Sequence, residues 1–329
     1  MAGPAVTVII VTYNSGDFLQ PCVEALAGQA FDDFEVVIAD NASSDGAVEA
    51  LRLPDDRFRV RRMGSNLGFA AANNRVAEAS AAEFLVLLNA DTLPEPGWLG
   101  ALVAGARSHP EAASFGSIQV RLDDPDTFDG VGDVWHVAGI AWRALEGKPR
   151  RPISDAEIMG PCAAGALYRR EDFLRVGGFD ERFFCYCEDI DLALRLQLAG
   201  RTSRRVAGAV LRHAGSGTTG RVSEFTLYHG HRNRVWTFLK NTPGGWLWLF
   251  LPYHVAANLW LIWRYRTEAG VSKILERAYL DAWLGRAPFL HERLAADRSS
   301  YRRLLRLMAM TPWSASRRLE VRSGSQAGF

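Results

Sequence analysis

Three short apolar runs constrain this fold most: Val6–Val11, Phe34–Ala39 and Phe84–Leu88. Each is rich in β-branched or large aliphatic residues and stops at polar turn residues, which is the pattern of a strand covered on both faces. Arg57–Arg62 reads as a weaker strand between the second and third runs. Helical spacing follows the first run at Phe18–Ala27 and precedes the last at the Ala-rich stretch Ala70–Ser80. Strands alternating with helices predict an α/β fold, an open, Rossmann-like, mostly parallel sheet with helices on both faces.

In such sheets ligands bind beyond the carboxyl ends of the strands. Three of those ends carry polar clusters: Thr12-Tyr13-Asn14, Asp40-Asn41 and Asn89-Ala90-Asp91. Asn, Asp and Ser also suit turns and helix N-caps, so one such cluster would mean little. Three on one edge predict a ligand site. The chain has neither G-x-G-x-x-G nor G-x-x-x-x-G-K-[ST], so neither a dinucleotide nor a P-loop phosphate cradle is indicated.

The net charge of +1 over 329 residues argues against a general nucleic-acid binder. The charge is uneven, however. From Arg264 to Phe329 there are 13 Lys/Arg against 6 Asp/Glu, a basic tail suited to an anionic surface. Four cysteines (Cys22, Cys162, Cys185, Cys187) form no disulfide framework, and Cys185 and Cys187 lack the further ligands of a zinc spacing. The N-terminus has no charged segment ahead of an apolar one, which leads us to expect no secretory signal and a cytoplasmic location.

Several residues could carry chemistry. Asp91, at the end of a buried strand, offers the hard oxygen ligands that Mg²⁺ or Mn²⁺ prefer. Glu188, Asp189 and Asp191 open the helix Leu192–Ala199 behind the aromatic stretch Phe183-Phe184-Cys185-Tyr186. Acids there offset the helix dipole; a carboxylate against an aromatic wall is equally a general base. His213 precedes Ala214-Gly215-Ser216-Gly217, and reads either as structural or as a metal ligand beside a movable loop. Within the mixed segment 116–169, the acidic stretch Asp123–Asp129 and the basic stretch Lys148–Pro152 read as exposed loops. Trp135 and Trp142 read either as sugar-stacking surfaces or as core.

Six segments, in this order, resemble the family-2 glycosyltransferases of the GT-A fold, especially the rhamnosyltransferase-like group: VIIVTYNSGDFLQPCVEAL, VVIADNASSDG, NLGFAAANN, FLVLLNADT, GALYRREDFLRVGGFDERFFCYCEDIDLALRLQLAG and YHGHRNRVWTFLKN. The resemblance implies a catalytic domain over residues 1–240. It implies a nucleotide-sugar donor held by Thr12, Tyr13, Asn14, Asp40, Asn66, Gly68, Asn74, Asn89 and Ala90, with Arg232 at the donor phosphates. Asn89-Ala90-Asp91 is similar to the family's D-x-D element, with Asn89 in place of the first acid. Asp91 and His213 would then hold Mg²⁺ or Mn²⁺, and Asp189, next to Glu188, would be the catalytic base of an inverting transfer. Phe184, Tyr186 and Trp142 would face the acceptor. The implied donor is dTDP-rhamnose, with a UDP-sugar such as UDP-galactofuranose as the alternative. The implied acceptor is a saccharide or polyprenyl-linked saccharide of a cell-surface polysaccharide. A catalytically silent sugar-binding protein of the same fold is the rival from outside the enzymes.

Residues 241–329 form a separate Trp-rich, basic region, expected to be a helical extension. Its uncharged stretch Trp246–Trp263 reaches the lower length of a membrane span but is split by Pro252. Trp246, Trp248, Trp260 and Trp263 crowd its two ends as interfacial residues do. Packed helices, an element lying in a membrane interface and a true span all remain open at this point. The interfacial reading would place the protein peripherally at the inner face of the cell membrane.

Overall fold

The structure is a computed structural model describing residues 3–215, 223–268, 270–293, 297–311 and 313–321. The loop read from Ser216-Gly217 therefore lies outside the described residues. Strands β1 (Val6–Thr12), β2 (Phe34–Asp40), β3 (Phe58–Arg62) and β4 (Phe84–Asn89) correspond to the runs read from the sequence, with helices α1 (Leu19–Ala27) and α2 (Gly68–Ala79) between them. β1 lies between β2 and β4, parallel to both, and β3 extends the sheet parallel to β2.

The chain continues through β5 (Thr92–Pro94), α3 (Trp98–Ser108), β6 (Ala112–Arg121), β7 (Phe128–Gly130), β8 (Asp133–Trp135), β9 (Ala141–Arg143), β10 (Ala156–Ile158) and β11 (Gly165–Arg169). After α4 (Arg170–Arg175) and α5 (Glu188–Leu198), β12 (Thr202–His213) returns to the sheet. The order is β10-β12-β6-β11-β4-β1-β2-β3, and β11 runs antiparallel between β4 and β6. β6 and β12 are parallel to each other, so the central sheet is mixed but mostly parallel. Alternating residues explain its two covered faces: Val8, Ile10, Val86 and Leu88 pack with α1 and α3, whereas Ile9, Val37, Leu85 and Leu87 pack with α2 and α5.

The middle segment differs from its sequence reading. β6, at ten residues, is fully buried but for its last position. The stretch Asp123–Asp129 is only partly a loop: Phe128 and Asp129 are buried in β7, which pairs with β6. The alternation there is interrupted by charged residues, whose partners come from distant segments.

Beyond the sheet lie α6 (Glu224–Asn241), α7 (Trp246–Arg264), α8 (Val271–Leu284), α9 (Ala287–His291) and α10 (Arg298–Leu307). They share a second core with α5 around Trp135, Phe183, Leu194, Trp236, Phe238 and Phe289. Trp135 is thereby core, not a sugar platform. Among the described residues no helix is long and apolar enough to cross a membrane, which removes the spanning reading of α7.

α5 and α6 are locked by one buried carboxylate. Asp191 accepts from Arg195 Nε at 2.8 Å, Lys240 Nζ at 3.1 Å and Asn241 Nδ2 at 2.7 Å. Removing one partner from a buried ionic group leaves the others uncompensated. Asp191→Ala is thus expected to lower the unfolding free energy by about 3–5 kcal/mol, read from the denaturant midpoint. A change under about 1 kcal/mol would show that the lock is dispensable.

Candidate active site

The carboxyl ends of β1 and β4 open into a cleft of about 820 Å³, within the usual size of a small-ligand site. Tyr13, Asn14, Asn41, Asn66 and Gly68 line one part. Asn89, Ala90, Asp91 and His213 line the next; Asp133, Trp142, Arg143, Phe184, Tyr186, Glu188 and Asp189 line the rest. The Asp91, His213 and Asp189 side chains singled out in the sequence therefore share one cavity, although they come from three different segments.

At the inner end, His213 leaves β12 beside the turn after β4. Its Nε2 faces Asp91 Oδ1 at 3.3 Å, and its Nδ1 lies 2.7 Å from Asp129 Oδ2. Asp129 also pairs with Arg143. Burial alone would lower the His213 pKa, but the carboxylates of Asp129 and Asp91 outweigh it and raise it. A carboxylate behind the far ring nitrogen fixes the imidazole's orientation, as it does for histidines that ligate metals. Nε2 is buried and makes no protein hydrogen bond. One carboxylate and one imidazole turned towards each other suit a divalent cation that takes mixed oxygen and nitrogen ligands. No group of three His, Cys, Asp or Glu capable of holding a metal occurs among the described residues. A cation here would thus depend on further oxygens from its substrate.

The same cleft is lined by a cluster of three acids, and their surroundings separate them. Asp189 Oδ1 accepts from the Ile190 amide at 2.8 Å and Oδ2 from the Ala163 amide at 3.3 Å. Burial raises its pKa, while those two amides and Arg143 hold the rise back. Glu188 is buried with Oε2 lacking a partner, and burial followed by the nearby Asp189 charge pushes its pKa well above the usual carboxylate range. Asp133 is raised in the same way, by burial and then by Asp189. Of the three, Asp189 is the one whose rise is opposed by amides of two other residues. Asp191, the third acid of the helix start, serves only the α5–α6 lock.

The segment before these acids is strained. Phe184, Tyr186 and Cys187 all have positive φ, at 65°, 72° and 66°, a region that costs side-chain-bearing residues about 1–2 kcal/mol each. Asn233 of α6 offsets this: its buried Nδ2 donates to the carbonyls of Phe183, Cys185 and Tyr186 at 2.8–2.9 Å. Gly68 fits against the same segment. It has φ +82°, and a Cβ there would meet the Phe184 ring and carbonyl at 2.6 Å. Asn66 Oδ1 accepts from the Gly68 amide at 3.0 Å, and Asn41 Nδ2 donates to its carbonyl at 3.1 Å.

Four of the residues expected at the donor do not reach the cleft wall. Thr12 is buried against Ser15, with their hydroxyls 2.7 Å apart. Asp40 accepts from the Ser43 amide at 2.9 Å and Arg62 at 3.1 Å. Asn74 is buried, pairing both ways with the Phe179 backbone at 2.8 and 2.9 Å. Arg232 lies over Trp236, 4.3 Å from the ring centroid, and donates to the Phe183 carbonyl at 3.3 Å. Phe184, Tyr186 and Trp142 do line the cleft, with Trp142 Nε1 tied to the Leu319 carbonyl at 2.9 Å. Asp129, Asp133, Arg143 and Asn233 were not singled out from the sequence. No local spacing marks Asp129, because its partner His213 is 84 residues away.

A mixed, mostly parallel sheet with a polar cleft at its strand ends is the GT-A architecture of glycosyltransferases. Two solved structures align with it. One is the mannosyltransferase PcManGT from Pyrobaculum calidifontis in complex with GDP-Man and Mn²⁺, with TM-score 0.56 and 19% identity over 92% of this chain and 79% of that one. The other is GalNAc-T7 with UDP, GalNAc and Mn²⁺, with TM-score 0.62 and 16% identity over 84% of this chain and 54% of that one. Residues 7–177 match Glycosyl transferase family 2, and the chain belongs to that family. It is a glycosyltransferase. Among curated relatives, the N-acetylglucosaminyl-diphospho-decaprenol L-rhamnosyltransferase of Mycobacterium tuberculosis is 29% identical, over 73% of this chain and 85% of that protein.

The close approach of Gly68 to Phe184 gives a test of the cleft. Gly68→Ala is expected to displace Phe184 and lower kcat/KM by about tenfold or more, while unfolding free energy falls by only about 1–2 kcal/mol. Unaltered kcat/KM would show that the contact does not shape the site.

Proposed function

We propose that this enzyme transfers L-rhamnose from dTDP-rhamnose, with inversion, to a hydroxyl of a lipid-linked saccharide during cell-surface polysaccharide synthesis. The carrying observation is that the Asp91–His213 pair and Asp189 open into the same cleft. The likeness to a decaprenol-linked rhamnosyltransferase supports the choice of sugar and acceptor class.

In this reading Tyr13, whose ring is exposed at the cleft mouth, packs on the pyrimidine base. Asp40 acts from behind by holding the Ser43 amide, and Asn66 and Gly68 shape the donor's path. Asp91 and His213 hold Mg²⁺ or Mn²⁺, in keeping with the Mn²⁺ in both structural neighbours. Such a cation supplies positive charge against the departing diphosphate. In the same cleft Asp189 takes the acceptor proton. Its raised pKa brings it closer to neutrality and makes it a better base than an exposed aspartate. Phe184, Tyr186 and Trp142 offer apolar surface to the acceptor rings. Glu188 and Asp133, whose pKa values burial raises, line the same part of the cleft. Arg232 and Asn74 act structurally, through the segments they hold. Residues 1–240 are the catalytic part, and residues 241–329 serve attachment.

The base must be ionised, so activity should rise as pH rises through the Asp189 pKa. The acid limb of kcat/KM is expected above the ordinary aspartate value of about 4. Asp189→Asn is expected to keep donor binding, read by thermal shift with dTDP-rhamnose, and to lose at least about 10³-fold in kcat. A chelator should abolish activity, and Mg²⁺ or Mn²⁺ should restore it. Turnover by Asp189→Asn at the wild-type rate would remove Asp189 from its role, and full activity in chelator would remove the metal.

A further inference from the structure

α7 is amphipathic in the wrong sense for a helix that merely packs on a core. Its inward stripe, Leu247, Phe250, His254 and Asn258, includes two polar residues, both hydrogen-bonded within the protein. His254 Nδ1 lies 2.9 Å from the Ala138 carbonyl, and Asn258 Nδ2 lies 3.0 Å from His254 Nε2. The outward side carries the large apolar groups: Trp248 is 73% exposed and Leu259 61%, with Leu249, Tyr253, Trp260 and Trp263 also more than half exposed. These six recur along one side of a 19-residue helix, roughly 28 Å long. A water-soluble surface rarely keeps so much contiguous apolar area uncovered.

The charges around this face select its occupant. α7 contains no acidic residue. At its C-terminal end Arg264 and Arg266 are exposed, and neither has a carboxylate partner among the described residues. The Arg266 guanidinium lies over the Trp263 ring, 4.2 Å from its centroid, at the edge of the apolar stripe. A second copy meeting this face through its own α7 would bring no carboxylate to these arginines, because α7 has none. An anionic lipid surface would instead gain about 1 kcal/mol for each such cation. Trp246 and Trp248 at one end and Trp260 and Trp263 at the other are exposed and suit the headgroup level, and Pro252 sits on the exposed side.

We propose that the outer face of α7 lies in the plane of an anionic lipid bilayer and seats the enzyme on it. This rests on the lipid-linked acceptor proposed above, and it specifies which face of the molecule turns to the lipid. α6 connects that face to the cleft. Phe225, Thr226 and Gly230 of α6 line the cleft, while Arg234, one turn on, donates to Asn258 of α7 and, at 2.9 Å, to Tyr279 of α8. A substrate whose sugar reaches the cleft while its lipid stays in the bilayer would need only to pass along the α6 N-terminal end.

The test is flotation of the full chain with vesicles of phosphatidylcholine alone or of about 3:1 phosphatidylcholine to phosphatidylglycerol. Binding to the anionic vesicles is expected to be at least about tenfold tighter. The double variant Trp248→Glu/Trp260→Glu should bind them at least about tenfold more weakly, and Arg264→Glu/Arg266→Glu should abolish the anionic preference. Both variants alter exposed groups and should retain wild-type transfer to a water-soluble acceptor bearing a short chain. Absence of vesicle binding would overturn the proposal. So would equal binding by the Trp variant, or a dimer that this variant splits while vesicles stay unbound. Wild-type transfer to the soluble acceptor without vesicle binding would defeat the surface but leave the reaction standing. Binding through α7 with no transfer to any acceptor would uphold the surface and defeat the reaction.

Discussion

Asp189 is a half-buried carboxylate in the wall of its cleft, and whether it keeps its charge there decides what the rest of the site can do. Desolvation alone would neutralise a buried acid. Two backbone amides from other residues and the nearby Arg143 counter that pressure on Asp189. Arg143 also acts on Asp133, but burial and the Asp189 charge push Asp133 and Glu188 well above the usual carboxylate range.

Of the two amides that favour Asp189, that of Ile190 lies in the first turn of α5, directly after a backbone bent into an unfavourable shape. Positive φ at Phe184, Tyr186 and Cys187 turns the chain sharply into the helix. Asn233 gathers the freed carbonyls, Arg232 covers the Phe183 carbonyl, and Gly68 leaves the space that Phe184 fills. α6 must lie at a fixed distance for this, and the buried Asp191–Lys240–Asn241 contact holds it there. Residues outside the cleft lining thus determine where Asp189 stands. Asp129 orients His213 towards Asp91 in the same indirect way.

The strands β1, β2 and β4 were legible because each is buried on both faces and needs an unbroken apolar run. Their polar ends were legible as a ligand edge for the same reason. The matched motifs marked Asp91 and Asp189, which no periodicity could have done, whereas His213 lies outside them. What escaped the sequence is paired over long range. Asp129 reads as one more acid in an acidic loop until His213 and Arg143 stand beside it. Arg232 and Asn74 carry motif positions, yet their side chains serve backbone carbonyls and rings. A motif marks that a residue matters without telling whether it touches substrate or holds something that does. The Trp-rich stretch of α7 was ambiguous because its inward stripe contains polar residues, and only the fold shows which side faces out.

In the proposed reaction Asp91 and His213 would hold a divalent cation at the donor diphosphate, with Asp189 in the same cleft. Anomalous diffraction at the manganese edge, from crystals grown with Mn²⁺ and dTDP, tests this directly. One strong peak is expected within ligand distance, about 2.0–2.3 Å, of an Asp91 oxygen and of His213 Nε2. A peak coordinated elsewhere, or dTDP bound in the cleft with no manganese near Asp91, would contradict it.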